Sequence, residues 1–118
     1  MGLALKNLMH NAVKYSYKAG RNKRHISIRC LFEDNKISVE FENFGIGITQ
    51  TEISEKKIWE SNYRGYLSQD QNRCGAGLGL SHAKWAIEDV HDGEISCESN
   101  QIYGETYLTK FTVTFKLN

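Results

Sequence analysis

Residues 5–16 of the chain read LKNLMHNAVKYS, a stretch in which apolar residues recur at helical spacing. The intervals are i, i+3, i+4 and i+7, the pattern of a helix with one buried face. The residues of this apolar stripe are Leu5, Leu8, Met9 and Ala12. The pattern predicts a helix over residues 3–18, and Gly20 shortly after it is suited to a left-handed cap.

Three polar residues share another side of this predicted helix: Asn7, Asn11 and Lys14. At about 100° per residue they fall within an arc of about 60°, opposite the apolar stripe. Asparagine is a poor helix former because its side chain competes for backbone hydrogen bonds, so two of them in mid-helix point to a function. Amide oxygens suit a metal ion, and the Lys14 ammonium suits a phosphate. Because any amphipathic helix has a polar face, a solvated surface remains the alternative.

Two glycine clusters follow farther along the chain. Gly45 and Gly47 come directly after a predicted strand, where glycines let the backbone approach a ligand closely. Gly75, Gly77 and Gly79 open a predicted helix, whose free N–H groups and positive dipole end suit phosphate. Taken alone, either cluster is equally well explained by turn geometry. A Walker A loop is excluded because GxxxxGK[ST] does not occur, and the second cluster does not match GxGxxG.

The remaining pattern predicts the fold class. Alternating apolar residues predict strands at residues 25–32, 36–42, 94–99 and 107–117. The first two are joined by the turn-rich residues 33–35, which predicts an antiparallel hairpin. Thr49 and Glu52 form a capping box for a short helix, and the helix after the second glycine cluster runs to Val90, with Gly93 as its stop. This order predicts an α+β two-layer sandwich, with helices on one face of a largely antiparallel sheet.

The composition is that of one ordinary globular domain. The chain has 118 residues, of which 40% are hydrophobic and 25% charged, and a formal net charge of +1. This balance argues against disorder and gives no global field that would recruit nucleic acid or an anionic membrane. Three widely spaced cysteines fit free thiols, so we expect a cytoplasmic domain, which a membrane anchor elsewhere in a longer parent protein would not change. Trp59 and Trp85 are interpreted as packing residues.

Together these segments resemble the catalytic and ATP-binding domain of sensor histidine kinases, within the GHKL superfamily. Five segments carry the resemblance: residues 5–16 (LKNLMHNAVKYS), 43–48 (NFGIGI), 58–65 (IWESNYRG), 75–80 (GAGLGL) and 90–95 (VHDGEI). They are similar, in that order, to the N box, the first glycine box, the family's IFExFYRG segment, the second glycine box and the HGGxI motif. Their order and their spread over most of the chain make the resemblance specific.

The resemblance implies a Bergerat-type ATP site, covered by a mobile lid at about residues 49–74. By position in the motifs, Asn11 would ligate Mg²⁺ and Tyr15 would pack beside the nucleotide. Lys14 and Arg64 would contact phosphates. The other implied nucleotide-binding residues lie in the two glycine boxes: Asn43, Gly45, Gly47, Ile48, Gly75, Gly77, Leu78, Gly79 and Leu80. The resemblance assigns the adenine side to the first box and the triphosphate to the second.

Two asparagines bear on the activity that the resemblance implies. Hydrolytic relatives carry a glutamate base where this chain has Asn7, and an amide cannot take a proton from water, so efficient ATP hydrolysis is not expected. The candidate catalytic residues are Asn7, Asn11, Lys14 and Arg64. Asn43 stands where the family usually has an aspartate that accepts a hydrogen bond from the adenine amino group. An amide accepts that bond without charge assistance, so we expect weaker ATP binding and poorer discrimination between adenine and guanine.

The resemblance implies a domain that binds Mg-ATP and donates its γ-phosphoryl group to a histidine. That histidine would lie on a separate dimerisation domain of the same or a partner chain, with a response regulator downstream. The alternative is a degenerate nucleotide-binding regulatory module without phosphotransfer. Domains of this family have a strand and a helix before the N box, so residues 1–118 are expected to lack them. The sheet would then have an uncovered edge, open to pairing with another copy.

Overall fold

The computed structural model describes residues 2–15, 26–45, 47–60, 79–104 and 106–117. Helix α1 spans Gly2–Tyr15, helix α2 spans Gln50–Ser54, and a single 3₁₀ turn follows at Lys57–Trp59. Helix α3 spans Gly79–Lys84 and continues as a π-helical segment, Trp85–Val90. Strands β1 to β4 span Ile26–Glu33, Lys36–Gly45, Glu94–Tyr103 and Thr106–Lys116.

The four strands form one antiparallel sheet in the order β1-β2-β4-β3. Two hairpins, β1–β2 and β3–β4, are therefore joined by the pairing of β2 with β4. The β1–β2 turn consists of Asp34 and Asn35, with φ angles of 52° and 61°. Two left-handed residues give the type I′ geometry whose twist matches that of the strands. The predicted hairpin is confirmed, although Glu33 pairs with Lys36 instead of belonging to the turn.

The core lies between one face of the sheet and the helices. Its buried residues on the sheet are Phe41, Ile95, Cys97, Phe111 and Val113. The helices and the 3₁₀ turn contribute Ala4, Leu8, Ala83, Ala86, Ile87 and Ile58. Small alanines on both α1 and α3 let the two helices approach each other and the sheet closely. The α+β sandwich predicted from the sequence is confirmed.

The opposite face of the sheet is polar. Glu40 accepts a hydrogen bond from Arg29 at 2.8 Å, and its other carboxylate oxygen lies 3.8 Å from the ammonium of Lys110. The hydroxyls of Ser38 and Thr114 lie 3.1 Å apart in the same sheet. Because these side chains are polar, this face of the sheet can contact water and needs no second layer of helices. Exposed ion pairs such as these contribute little to stability.

Helix α2 begins at the predicted capping box. The Glu52 N–H donates to the Thr49 hydroxyl at 3.3 Å, and the Thr49 N–H donates to the Glu52 carboxylate at 3.0 Å. The 3₁₀ turn then buries Ile58 and places Trp59 edge-on against Phe111, with ring centroids 6.0 Å apart. The first part of the expected lid thus packs onto the core through Ile53, Ile58 and Trp59, and residues 61–74 lie outside the described residues.

Strand β1 forms one edge of the sheet. Ile28 pairs with Phe41 and Phe32 pairs with Ile37, so both point to the helix-covered face. They are nevertheless 45% and 70% exposed. Leu31, on the other face, is also exposed. Among the described residues, β1 therefore exposes apolar side chains on both faces of the sheet.

Two residues near α3 carry predictions from the sequence. Trp85 packs, with its ring centroid 5.7 Å from that of His82, and 53% of the residue is exposed. Gly93 is not the left-handed helix stop, because Asp92 takes that conformation with a φ of 56°. A Cβ at Gly93 would lie 2.6 Å from the ring of Phe115, so the glycine is needed for packing.

Candidate functional site

The first glycine cluster follows the end of β2. Gly45 is the last residue of the strand, and both Gly45 and Gly47 are buried. A Cβ added at Gly47 would overlap the ring of Tyr107 on β4. Ile48 is partly buried against the core. Gly47 is therefore required by the close approach of this loop to β4, a reason that the sequence did not reveal.

Three buried polar side chains, here called the polar row, cross the sheet next to this loop. They are Asn43 on β2, Thr109 on β4 and Ser99 on β3, exposed by 3%, 4% and 1%. Asn43 pairs with Thr109, and Thr109 pairs with Ser99, so all three side chains share one face. The hydroxyl oxygens of Ser99 and Thr109 lie 2.7 Å apart, within hydrogen-bond distance. The polar row continues the apolar face of the core toward the glycine loop.

Ser99 fastens the glycine loop to the sheet. Its hydroxyl accepts a hydrogen bond from the Ile48 N–H at 3.0 Å, and its carbonyl accepts one from the Gln50 side chain at 2.6 Å. At the other end of the row, the Asn43 Nδ2 is buried and meets no hydrogen-bond acceptor among the described residues. An unsatisfied buried amide costs about 1–3 kcal/mol, so this donor next to the loop is a candidate ligand contact.

Helix α1 carries one residue of the polar arc whose side chain the structure describes, Asn7. Asn7 is partly buried, and the buried face of the helix extends to Ala4. At about 100° per residue, Ala4 lies only about 20° from Asn11 around the helix axis. Around the helix axis, the buried Ala4 therefore lies closer to the polar arc than the predicted apolar stripe does. The side chains of Asn11, Lys14 and Tyr15 are outside the described part of the chain, although their backbones belong to α1.

Helix α3 lies beside α1. The two helices pack against each other, and α1 also contacts β2. Helix α3 begins at Gly79, the last glycine of the second cluster, and Leu80 packs partly buried against the core. The structure thus brings the helix that carries the N box next to the helix that the second glycine cluster opens. The predicted site residues Arg64, Gly75, Gly77 and Leu78 lie outside the described residues.

A known protein family matches the sequence over its whole length. The model of the family described as histidine kinase-, DNA gyrase B- and HSP90-like ATPase matches residues 1–118. The chain belongs to this family. The resemblance of its motifs to the catalytic domain of sensor histidine kinases is thereby confirmed.

Relatives of this ATPase domain include long sensor kinases. The sensor histidine kinase WalK of Bacillus subtilis is 30% identical over 112 residues, which cover 95% of this chain and 17% of WalK. The sensor histidine kinase YclK of the same bacterium is 26% identical over 113 residues, covering 95% of this chain and 22% of YclK. The chain therefore spans about a fifth of the length of these two relatives.

Solved structures of histidine kinases share the fold of the ATPase domain. The mycobacterial sensor histidine kinase MprB aligns with a TM-score of 0.77 at 19% identity, over 99% of this chain and 73% of MprB's. The catalytic domain of histidine kinase ThkA aligns with a TM-score of 0.68 at 25% identity, over 98% of this chain and 66% of ThkA's. These alignments confirm the α+β class and the arrangement of the sheet.

Glu88, which forms an ion pair within the α3 region of the ATPase domain, also links that region to β3 by a hydrogen bond. Lys84 donates to Glu88 at 2.7 Å, and its ammonium lies 5.2 Å from the ring centroid of Trp59. Glu88 also accepts the Ile95 N–H at 3.2 Å. Partial burial raises the pKa of Glu88, but the hydrogen bonds from Lys84 and Ile95 outweigh it and leave that pKa below its ordinary value. This bracing role was not predicted from the sequence.

The polar row contains the functional candidates that sequence reasoning missed. Ser99 and Thr109 occupy positions at which the alternation of β3 and β4 calls for apolar residues. A polar residue that continues an apolar face is a signal of a lined site, and two such residues opposite each other strengthen it. Finding them requires the register of the strands, because neither residue belongs to a recognised motif.

The described parts of the ATPase domain limit the candidate metal ligands. Across them, no group of three or more His, Cys, Asp or Glu side chains is placed to hold a metal ion. Amide and phosphate oxygens are hard ligands that suit Mg²⁺, so the donor set expected at Asn11 fits that ion. Within the described ranges, no helix has the length and apolarity needed to cross a bilayer.

Proposed function

We propose that this chain is the Mg-ATP-binding catalytic domain of a two-component sensor histidine kinase. In this proposal it donates the γ-phosphoryl group of ATP to a histidine on a dimerisation domain, and a response regulator receives the group downstream. The observation that carries the proposal is the packing of α1 on α3. It holds the helix of the N box beside the helix opened by the second glycine box, so metal and phosphate ligands come from neighbouring elements.

The proposed mechanism is positioning combined with charge neutralisation. Lys14 and Arg64 contact phosphate oxygens, and the N–H groups that precede α3 face the triphosphate. Asn11 offers its amide oxygen to Mg²⁺, which when bound neutralises phosphate charge. The acceptor imidazole nitrogen forms a bond to the γ-phosphorus while the bond from that phosphorus to the bridging oxygen breaks, and ADP leaves. The protein supplies no covalent intermediate of its own.

Asn7 supports transfer to a histidine over hydrolysis. The side chain is partly buried on α1, one turn before Asn11. Water needs a general base to attack phosphorus efficiently, and an amide cannot accept its proton. An imidazole is already a nucleophile and needs no such base. We therefore expect slow release of inorganic phosphate by the chain alone.

Phosphotransfer is tested with ATP labelled on the γ-phosphate and the phosphoacceptor domain of the chain's own kinase. We expect acid-labile, base-stable label on the acceptor histidine. Lys14→Ala should reduce the initial rate at least about tenfold, the loss of one charged phosphate contact. The matched control is Lys6→Ala, because Lys6 is an exposed lysine on the same helix. Equal rates for the two variants would contradict the role of Lys14.

A regulatory nucleotide-binding module is the second candidate, and the neutral Asn43 favours it. Loss of a charge-assisted bond to the base weakens nucleotide binding, which a sensor of high ATP concentration tolerates better than a kinase does. Binding of ATP without any label on the acceptor domain would support this second function. Measurable turnover to inorganic phosphate would instead support an ATPase. Each of the three functions places the domain in the cytoplasm, where the nucleotide is abundant.

A further inference from the structure

The base end of the proposed nucleotide site contains a hydrogen-bond donor that adenine does not need. Asn43 is 97% buried, given its exposure of 3%, and its Nδ2 meets no acceptor in the described part of the chain. The residue lies two positions before Gly45, at the start of the glycine loop. The exocyclic amino group of adenine is itself a donor, so it can pair with the Asn43 oxygen but not with this nitrogen.

The neighbours of Asn43 can also reverse their hydrogen bonding. Thr109 stands directly opposite Asn43 in the register of β2 and β4. Its hydroxyl lies 2.7 Å from that of Ser99, and either oxygen can be the donor. Ser99 already accepts the Ile48 N–H, yet it keeps one hydrogen to give and one lone pair to share. Thr109 can therefore donate to a base while it accepts from Ser99, or accept from a base while it donates to Ser99.

Adenine and the 6-oxopurines present opposite patterns of hydrogen-bond donors and acceptors to the polar row. Adenine offers a donor at its 6-amino group and an acceptor at N1. Hypoxanthine and guanine offer an acceptor at O6 and a donor at N1–H. A carboxylate at residue 43 would match only the first pattern, because it has no hydrogen to give. The amide of Asn43 matches the second pattern through Nδ2 and the first through its oxygen after a rotation of its amide plane.

We propose that this site accepts 6-oxopurine nucleoside triphosphates, namely ITP and GTP, as well as ATP. The proposal rests on the proposed nucleotide-binding function and names the substrate class of that same site. Asn43 sets the specificity by donating from Nδ2 to O6, and the Thr109 hydroxyl accepts from N1–H while it donates to Ser99. The buried donor is thereby satisfied by the ligand.

The test is calorimetric titration of the whole chain with ATP, ITP and GTP in the presence of Mg²⁺. For the wild type, we expect the dissociation constant of ITP to lie within about tenfold of that of ATP. For Asn43→Asp, we expect ATP to bind more tightly and the ratio of ITP to ATP dissociation constants to rise at least about tenfold, because the carboxylate repels O6. Asn100→Asp is the matched control, since Asn100 is an exposed asparagine beside Ser99, and its ratio should equal that of the wild type.

The outcomes separate this proposal from the proposed function. If the wild type binds ATP but binds ITP more than about tenfold more weakly, the accepted substrate class is wrong while nucleotide binding stands. An unchanged ratio in a folded Asn43→Asp variant overturns the role of Asn43. Absence of binding by any triphosphate overturns the proposed function and this inference with it. Circular dichroism shows whether the variant is folded, and where it is not, the ITP to ATP ratio of the wild type decides alone.

Discussion

Replacement of Ser99 by alanine tests the polar row as a structural element. The hydroxyl is 1% exposed, accepts the Ile48 N–H at 3.0 Å and lies 2.7 Å from the Thr109 hydroxyl. Its removal leaves the buried Thr109 hydroxyl and the loop N–H without their partner. One buried group left unsatisfied costs about 1–3 kcal/mol, and Ile48 is only partly buried, so we expect a total loss of about 2–3 kcal/mol. At about 4 °C per kcal/mol for a chain of this size, the Tm should fall by about 8–12 °C.

Urea and thermal unfolding of the Ser99→Ala variant measure this loss. The matched control is Ser96→Ala, because Ser96 lies on the same strand but is exposed. The control should change the free energy of unfolding by less than about 0.5 kcal/mol, as surface substitutions usually do. A Ser99→Ala variant as stable as this control would refute the inference that Ser99 holds the glycine loop to the sheet.

Three further predictions concern the core, the α3 region and the sheet edge. Leu8→Ala should cost about 2–5 kcal/mol in urea unfolding because Leu8 is fully buried, while Lys6→Ala should cost almost nothing; equal losses would contradict the packing of α1. The pKa of Glu88 is lowered from its ordinary value of 4.5, so its pairing with Lys84 stabilises the fold at neutral pH and is lost as the pH falls through the lower folded-state pKa. The stability difference between the wild type and Glu88→Gln should therefore shrink below pH 4.5, and a difference that grows there would reverse the assignment. Phe32→Lys should leave stability within about 0.5 kcal/mol and weaken any self-association seen by sedimentation velocity, because the edge strand carries this 70% exposed side chain; a wild type that stays monomeric at every concentration would contradict edge pairing.

The elements of the fold were predictable where local patterns dictate them. The alternation in residues 36–42 and 107–117 predicted the two central strands, which the structure extends to Lys36–Gly45 and shifts to Thr106–Lys116. The capping box at Thr49 set the start of α2. These signals are local, because hydrogen bonds and side-chain contacts within a few residues produce them.

Burial was less predictable because it depends on what covers a residue. Ile28 and Phe32 alternate as core residues do, yet β1 is an edge strand and both are exposed. Trp85, interpreted from the sequence as a packing residue, contacts His82 at a ring-centroid distance of 5.7 Å and is still 53% exposed. The local sequence pattern does not show which strands the helices cover, nor where the α-helix changes to a π-helix.

The candidate site divides in the same way. The family resemblance identified Asn43, glycine spacing identified the two clusters, and in the structure Asn43 is buried two residues before Gly45. Asn43, Thr109 and Ser99 lie side by side only because of the register between β2, β4 and β3. Their side-chain chemistry was visible in the sequence, but their proximity was not. The roles of Asn11, Lys14 and Arg64 stay predictions.

Thermal unfolding with and without nucleotide tests the central claim, binding of Mg-ATP by this domain, most directly. With Mg²⁺ present and ATP at about 100 times its dissociation constant, binding to the native state adds about 2.7 kcal/mol of stability, or on the order of 10 °C in Tm. We predict that this shift shrinks when Mg²⁺ is removed. A Tm that does not move with ATP, ADP or GTP, in the presence or absence of Mg²⁺, would contradict the account.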